Sequence, residues 1–196
     1  SSLKAVEEAL KYDGKYWGIG TMEWRPIYGY QNDLIFVVYN KTLFEKEGIE
    51  DLYEIYLDGR WTWDMAREIA VKTTRDLDGD GEIDQWGIVD SRSWDLAVAN
   101  GANLTKEVDG RIVFSGDEPE YVAALEFQKE LWTDLQVVYP TYGSGTLRDT
   151  FINGKAAMYF AVPTYTIARE ILPRMQDEWG IVPLPKGPNV DEHQWT

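Results

Sequence analysis

The sequence contains no cysteine and a single histidine, His193. The first absence excludes a disulfide framework, a thiol nucleophile and any cysteine-held metal. The second argues against a Ser-His-Asp triad and against a multi-histidine zinc site. No apolar run is long enough to cross a bilayer, and no secretory leader is visible. Positive charge is also scarce. Nineteen Lys and Arg stand against 34 Asp and Glu, for a net charge of −15. That balance argues against nucleic acid or an anionic membrane surface as a partner.

Hydrophobic and aromatic residues are plentiful. The 196 residues are 44% hydrophobic, with nine Trp and twelve Tyr. The length fits one ordinary domain or one lobe of a larger protein. Tryptophan and tyrosine fill cores, but they also give flat faces to ligands.

The most specific chemical signal is Asp76-Leu77-Asp78-Gly79-Asp80-Gly81-Glu82-Ile83-Asp84-Gln85-Trp86-Gly87. Alternate acidic residues in a tight loop turn several carboxylates toward one point, and two glycines permit the positive φ angles of such a turn. Hard oxygen ligands suit calcium. The stretch follows an EF-hand loop through its ninth position. Asp76, Asp78 and Asp80 are expected as side-chain ligands, Gly81 at the turn, Glu82 through its carbonyl and Asp84 near the metal. It departs at the twelfth position, where Gly87 replaces the bidentate Glu, so that ligand is missing or comes from elsewhere in the fold. The competing reading is a solvated acidic turn without metal. A calcium ion here would be structural, tying a helix end to a strand start.

Strand and helix signals alternate along the chain, which predicts an α/β fold with helices on the sheet faces. Ser1–Lys11 reads as a helix end, Asp13-Gly14 as a turn and Tyr16–Ile19 as a strand. Leu34–Tyr39 is a continuous β-rich apolar run, expected to be covered on both faces. A short helix, Thr42–Glu47, closes at Gly48. Thr62 caps a helix over Trp63–Thr73 whose apolar stripe is Met65, Ala66, Ile69 and Ala70. Trp86–Val89 reads as a strand and Leu96–Ala99 as helical. Asp109-Gly110 marks a hairpin. Asp117, with Pro119 and Glu120, opens a long helix with Tyr121, Ala124, Leu125, Leu131 and Trp132 on one face. Tyr139–Gly145 reads as a loop and Leu147–Ile152 as a short helix. Ala156–Val162 reads as a buried strand, Thr164–Met175 as a helix disturbed by Pro173, and Trp179–Val182 as a last strand. Ligands of such sheets bind beyond strand ends. Thr21–Asp33, Asp90–Asp95 and Pro163–Tyr165 are therefore the candidate site loops.

In order along the chain stand Tyr12-Asp13-Gly14-Lys15-Tyr16-Trp17-Gly18, Leu34–Lys41 with Leu43-Phe44 and Gly48-Ile49, and Gly59-Arg60-Trp61-Thr62-Trp63-Asp64. The acidic loop with Gln85-Trp86-Gly87 follows, then Phe151-Ile152-Asn153-Gly154-Lys155-Ala156-Ala157-Met158 and Trp179-Gly180-Ile181-Val182-Pro183-Leu184-Pro185. Together these resemble the family 1 extracellular solute-binding proteins, the receptors of carbohydrate ABC importers. The resemblance implies a periplasmic-binding-protein-like (type II) lobe with a mixed sheet flanked by helices. In that family two lobes close on a sugar. The implied division is residues 1–30 as a remnant of the first lobe with the first hinge crossing, 31–185 as the second lobe, and 186–196 as the return hinge, with the rest of the first lobe missing.

By resemblance Asn32 or Asp33 falls near an acidic contact at the first crossing, and Ser91-Arg92-Ser93-Trp94 matches a contact loop. An aromatic stacking residue follows a strand and a Pro in the family. Here Pro163 is followed by Thr164 and Tyr165, so the platform is Tyr165 shifted by one residue, or Trp94, or Trp24. Sugar rings offer apolar faces and many hydroxyls. Trp24, Trp94 and Tyr165 suit stacking, while Arg25, Asn32, Asp33 and Arg92 suit hydrogen bonding. Core packing or surface ion pairing competes at each position. The implied protein is a non-enzymatic monomer that captures a sugar or oligosaccharide by lobe closure and docks on a membrane permease. It would lie outside the cell or in the periplasm, anchored as a lipoprotein through a missing N-terminus. Two readings compete: a glycan-active enzyme domain, for which no carboxylate pair stands out among so many acids, and a calcium-dependent adhesion or docking module, against which the single copy of the acidic loop counts.

Overall fold

The computed structural model describes residues 11, 12, 14–16, 35–141 and 144–194. The chain divides into two units, Ser1–Asp33 and Leu34–Thr196. In the first, β1 (Lys11–Tyr12) and β2 (Lys15–Tyr16) pair antiparallel, with Gly14 at φ 69° in the turn. Gly14 of the expected turn is thus a turn residue, and Lys11 is strand rather than helix end. The remainder of the expected Ser1–Lys11 helix and of the strand to Ile19 lies outside the described residues.

The second unit is built on a four-stranded sheet in the order β4-β7-β3-β8. Its strands are β3 (Ile35–Asn40), β4 (Trp86–Val89), β7 (Ala156–Pro163) and β8 (Trp179–Val182). β4 and β7 run parallel, and β3 is antiparallel to both β7 and β8, so the sheet is mixed. Registers Ile35↔Pro163, Val89↔Tyr159 and Val37↔Val182 place the start of β3 and the ends of β4, β7 and β8 at one end of the sheet. Register Trp86↔Ala156 places the start of β4, and with it the acidic loop, at the other end. Between Phe36 and Val38 the pairing with β7 slips, and Ala161 opposite takes φ 56°. This bulge re-aims the last residues of β7 before the chain turns.

Helices cover both faces, as the unbroken apolar run of β3 requires. On one face lie α1 (Lys41–Lys46), α2 (Leu52–Leu57), α3 (Trp63–Thr73), α4 (Ser93–Ala99) and α5 (Pro119–Lys129). Their Phe44, Ile55, Ile69, Leu96 and Phe127 pack with Val37, Tyr39, Ile88 and Phe160 of the sheet. On the other face α6 (Ser144–Ile152) and α7 (Thr164–Thr166), which continues as a π-helical turn to Ile171, pack Leu147, Phe151, Ile167 and Ile171 on Val38, Val89, Tyr159 and Val162. A hairpin, β5 (Thr105–Val108) with β6 (Arg111–Phe114), turns at Asp109-Gly110 as expected.

Three expectations need correction. α6 begins at Ser144, so the loop before it ends earlier than Gly145. Of the stripe expected on this helix, Tyr121 and Ala124 of α5 and Leu131 just beyond it are buried, but Leu125 is 43% exposed and Phe127 is buried instead. The helix widens into a π-helical turn at Glu130–Asp134, and the buried face runs through 121, 124 and 127 before it. The segment after that turn is not plain loop: Val137 O accepts from Ile88 N and Tyr139 N donates to Ile88 O, extending the sheet beyond β4.

Candidate functional site

At the acidic loop, α3 ends at Thr73 and β4 begins at Trp86. Arg75 and Gln85 close the neck, with Arg75 N donating to Gln85 O at 2.7 Å and Gln85 N to Arg75 O at 3.0 Å. Above it Gly79 and Gly81 take φ 82° and 95°. Asp76 accepts from Gly79 N at 2.7 Å and from Gly81 N at 2.9 Å. These two donors, Gly81 first, hold its carboxyl below the usual carboxylate range. Asp84 accepts from Leu77 N, Asp78 from Asp80 N and Asp80 from Glu82 N.

Oxygens of Asp76, Asp78 and Asp84 come within 4.8 Å of one another. Of the five expected ligands, three side chains thus converge; Asp80 and Glu82 stand outside that group. The chemistry of the set fits calcium, since it is all carboxylate oxygen on a loop with EF-hand spacing. Among the described residues no carboxylate from elsewhere joins the three. Glu47, which meets the neck of the loop, is engaged with Arg75 at 2.9 Å and with Gln85 at 3.2 Å.

The other end of the sheet carries two of the loops expected to meet a ligand, those after β4 and β7. Trp24, Arg25, Asn32 and Asp33 lie outside the described residues, as does the Tyr165 side chain. Thr164 is half-buried at the start of α7. The loop from β4 to α4 is described in full. Asp90 takes φ 59°, in a region that costs a non-glycine residue strain. The turn it makes drops Ser91 inward. Ser91 is 3% exposed, its hydroxyl has no protein partner, and its carbonyl accepts from Gln128 Nε2 of α5 at 2.5 Å. Arg92 folds back on Asp90, with Nη2 at 2.6 Å and Nε at 3.0 Å from the same oxygen. Its guanidinium also lies 5.9 Å from the centre of the Trp94 ring. Trp94 is 55% exposed, unusual for the largest apolar side chain.

Two residues bounding the expected Asp90–Asp95 loop were given no role of their own by the sequence, Asp90 and Asp95. Asp95 sits in the first turn of α4 yet is only 6% exposed, and its Oδ2 has no protein partner. Burial raises its pKa to about 6, with Asp90 adding to the rise and Arg92 opposing it. The folded chain therefore holds this proton to higher pH than the unfolded chain does. The group favours folding below the range of an unfolded carboxylate, and that contribution is lost as pH rises to about 6. A helix-start Asp reads as an ordinary first-turn acid, so burial was the missing signal.

Two surface recesses lie away from this loop. One, of about 500 Å³, is lined by Asn100, Lys106, Glu118 and Asn189 among others. The second, of about 440 Å³, lies beside the acidic loop, with Asp84, Trp86, Tyr139 and Lys155 in its wall.

Residues 4–195 match a family model described as bacterial extracellular solute-binding protein. Among solved structures, UspC of Mycobacterium tuberculosis is 22% identical with a TM-score of 0.67, over 96% of this chain and 48% of that one. The maltose/maltodextrin-binding domain MalE of Bdellovibrio bacteriovorus, bound to maltotriose, is 20% identical with a TM-score of 0.67, over 94% and 43%. An ABC substrate-binding protein of Listeria monocytogenes, in complex with cycloalternan, is 23% identical with a TM-score of 0.63, over 93% and 43%. The chain thus spans less than half the length of these proteins. No curated protein matches the sequence.

Proposed function

This chain belongs to the bacterial extracellular solute-binding protein family, and from that premise we propose that it is the ligand-closing second lobe of a sugar or oligosaccharide receptor for an ABC importer. The observation that carries the reading is Trp94. A tryptophan 55% exposed, under a guanidinium, at the carboxyl end of a parallel strand pair, is a flat apolar platform with hydrogen-bond donors beside it. That combination fits a sugar ring. The ligands bound in similar structures, maltotriose and cycloalternan, support the same class. One lobe supplies one wall of such a cleft; closure of a second lobe completes it, and a membrane permease reads the closed state. The receptor is non-enzymatic, acts outside the cell or in the periplasm, and is anchored at the membrane surface.

The test is tryptophan fluorescence of the full-length, two-lobed protein against a panel from maltose to maltotetraose, with other sugars alongside. A saturable change with one class establishes the function; turnover of a chromogenic glycoside would support the enzyme reading instead. Trp94→Ala is expected to weaken binding about tenfold, the order of one lost stacking contact, with the far-UV spectrum unchanged. Undiminished affinity would return Trp94 to a structural role.

The acidic loop is proposed as a structural calcium site held by Asp76, Asp78 and Asp84, with Glu82 through its carbonyl and Asp80 completing the set. It lies at the opposite end of the sheet from Trp94, so the ion would stabilise the lobe without touching the sugar. At a hundredfold excess over its Kd an ion adds about 2.7 kcal/mol. Asp78→Ala should lower the thermal midpoint with calcium present and leave it nearly unchanged in chelator. An equal loss in both conditions would mean the loop folds without metal.

A further inference from the structure

We infer that the recess beside the acidic loop is a second binding site, for a neutral saccharide, at the end of the sheet opposite Trp94. It stands on its own lining and goes beyond the receptor reading. Its volume, about 440 Å³, falls in the range of small-molecule sites. Two aromatic rings form a corner in its wall. Trp86 and Tyr139, both half-buried, meet edge to face with centroids 5.5 Å apart and an interplanar angle of 86°. Both rest on the core cluster that includes Val89, Phe151 and Tyr159. Their backbones are fixed in the sheet as well: Trp86 N donates to Lys155 O and Tyr139 N to Ile88 O, each at 2.9 Å. The corner is therefore held before any ligand arrives, which lowers the cost of binding.

Three polar side chains surround it. Thr146 lies on α6, Asn153 just after that helix and Lys155 just before β7, and all three are exposed. None of the three side chains has a hydrogen-bond or ion-pair partner among the described residues. Lys155 offers N–H donors, Asn153 a donor and an acceptor, and Thr146 a hydroxyl that serves as either. Sugar hydroxyls also donate and accept, and sugar rings have apolar faces for the two aromatics. Closing off the core would by itself account for the two rings. It does not account for the uncommitted polar groups gathered around them.

Charge decides the class of ligand. The Lys155 ammonium is offset by Asp84 in the same wall, and Asp149 is paired with Arg174 at 2.6 Å. No excess of positive charge is left to draw a phosphate or a carboxylate. A neutral polyhydroxyl compound fits the lining better. Contacts of this kind in a surface recess give affinity in the millimolar range. A foothold of that strength holds glycan near the protein without competing for the Trp94 wall, and so raises the local concentration of ligand.

The test is an NMR titration of the full-length protein with glucose, maltose and maltotriose. It follows the Trp86 indole N–H and the Asn153 side-chain amide, with the Trp94 indole read separately. Saturable shifts at Trp86 and Asn153, with a midpoint different from that of Trp94, support the proposal. Shifts confined to Trp94 overturn it and leave the receptor reading intact. Shifts at Trp86 and Asn153 with Trp94 silent support it while the receptor reading fails. One midpoint common to all three groups, or silence at all three, overturns it. Inorganic phosphate is the control for class, and a response to phosphate but to no sugar overturns the saccharide assignment. Trp86 is left in place because it also packs on the core. The double variant Asn153→Ala, Lys155→Ala changes exposed side chains only. It should weaken binding at the recess about tenfold, the order of two lost hydrogen bonds, and leave the Trp94 response unchanged. Undiminished affinity in that variant overturns the proposal.

Discussion

Trp61→Ala is expected to cost the second unit about 4 kcal/mol, read as a lowered denaturant midpoint. Trp61 is fully buried, with its ring edge-on to Phe160 of β7 at a centroid distance of 6.4 Å. Truncating a buried tryptophan leaves a cavity worth roughly 3–5 kcal/mol. A second loss is specific to this position. Trp61 Nε1 donates to Pro183 O at 2.8 Å, at the exit of β8. Proline has no N–H, so its carbonyl is the whole of its backbone pairing. The neighbouring bonds run the same way: Lys186 N donates to Trp61 O and Trp63 N to Lys186 O. The Trp61-Thr62-Trp63 stretch is therefore the anchor of the segment leaving β8. Trp61→Phe keeps most of the packing but orphans the Pro183 carbonyl, at about 1–2 kcal/mol. A loss under 1 kcal/mol for the Ala variant would mean that the segment is held by its other contacts, of which Asn100 to Asn189 is the strongest competitor.

That anchor bears on how the chain is divided. In the stretch 186–196, expected as a return hinge, Lys186 bridges to Thr62 and Gly187 N donates to Ala99 O. The segment is bound within the second unit. Gly187 has no room for a side chain, since a Cβ there would stand 2.2 Å from Asn100 Oδ1. The resemblance set Gly187 and Pro188 in the return hinge but could not show what that stretch lies against.

The elements with a strong local code were legible. Trp63–Thr73 has a capping Thr, a first-turn acid and a 3.6-residue stripe, and the helix occupies that range. Trp86–Val89 and Trp179–Val182 matched because each is a short apolar run bounded by turn formers. The α2 helix, Leu52–Leu57, passed unread. It is six residues long, and its cap, Asp51, also receives the Tyr39 hydroxyl at 2.6 Å, a tertiary contact invisible to a local window. The candidate site divides the same way. Exposed Trp94 and paired Arg92 were legible from residue type and loop position. Asp90 and Asp95 were not, because what distinguishes them is a positive φ in one and burial in the other.

Gly87→Ala is expected to destabilise the second unit by about 3 kcal/mol and, with it, to loosen the neck of the acidic loop. Gly87 is the second residue of β4, and α3 lies directly across it. A Cβ built there would stand 2.4 Å from Ala70 O and 2.6 Å from Ala70 Cα. Both are backbone atoms of a helix interior, so no rotamer change relieves the clash; helix and strand must separate. The pair is further pinned by Gly87 N donating to Thr74 Oγ1, whose hydroxyl donates to Ala70 O. The acidic loop hangs between these two elements, so their separation opens its neck at Arg75 and Gln85. Gly81→Ala is the control. Gly81 has open space around its Cα and pays only for φ 95°, on the order of 1–2 kcal/mol. Should Gly87→Ala prove no worse than Gly81→Ala, the close crossing of α3 over β4 is wrong. The same crossing accounts for the departure at the twelfth loop position. A bidentate Glu at 87 would have to start from a Cβ inside the Ala70 peptide. The closeness of helix to strand thus denies this loop a twelfth-position ligand from β4, which leaves the converging carboxylates of Asp76, Asp78 and Asp84 as the described core of the proposed site.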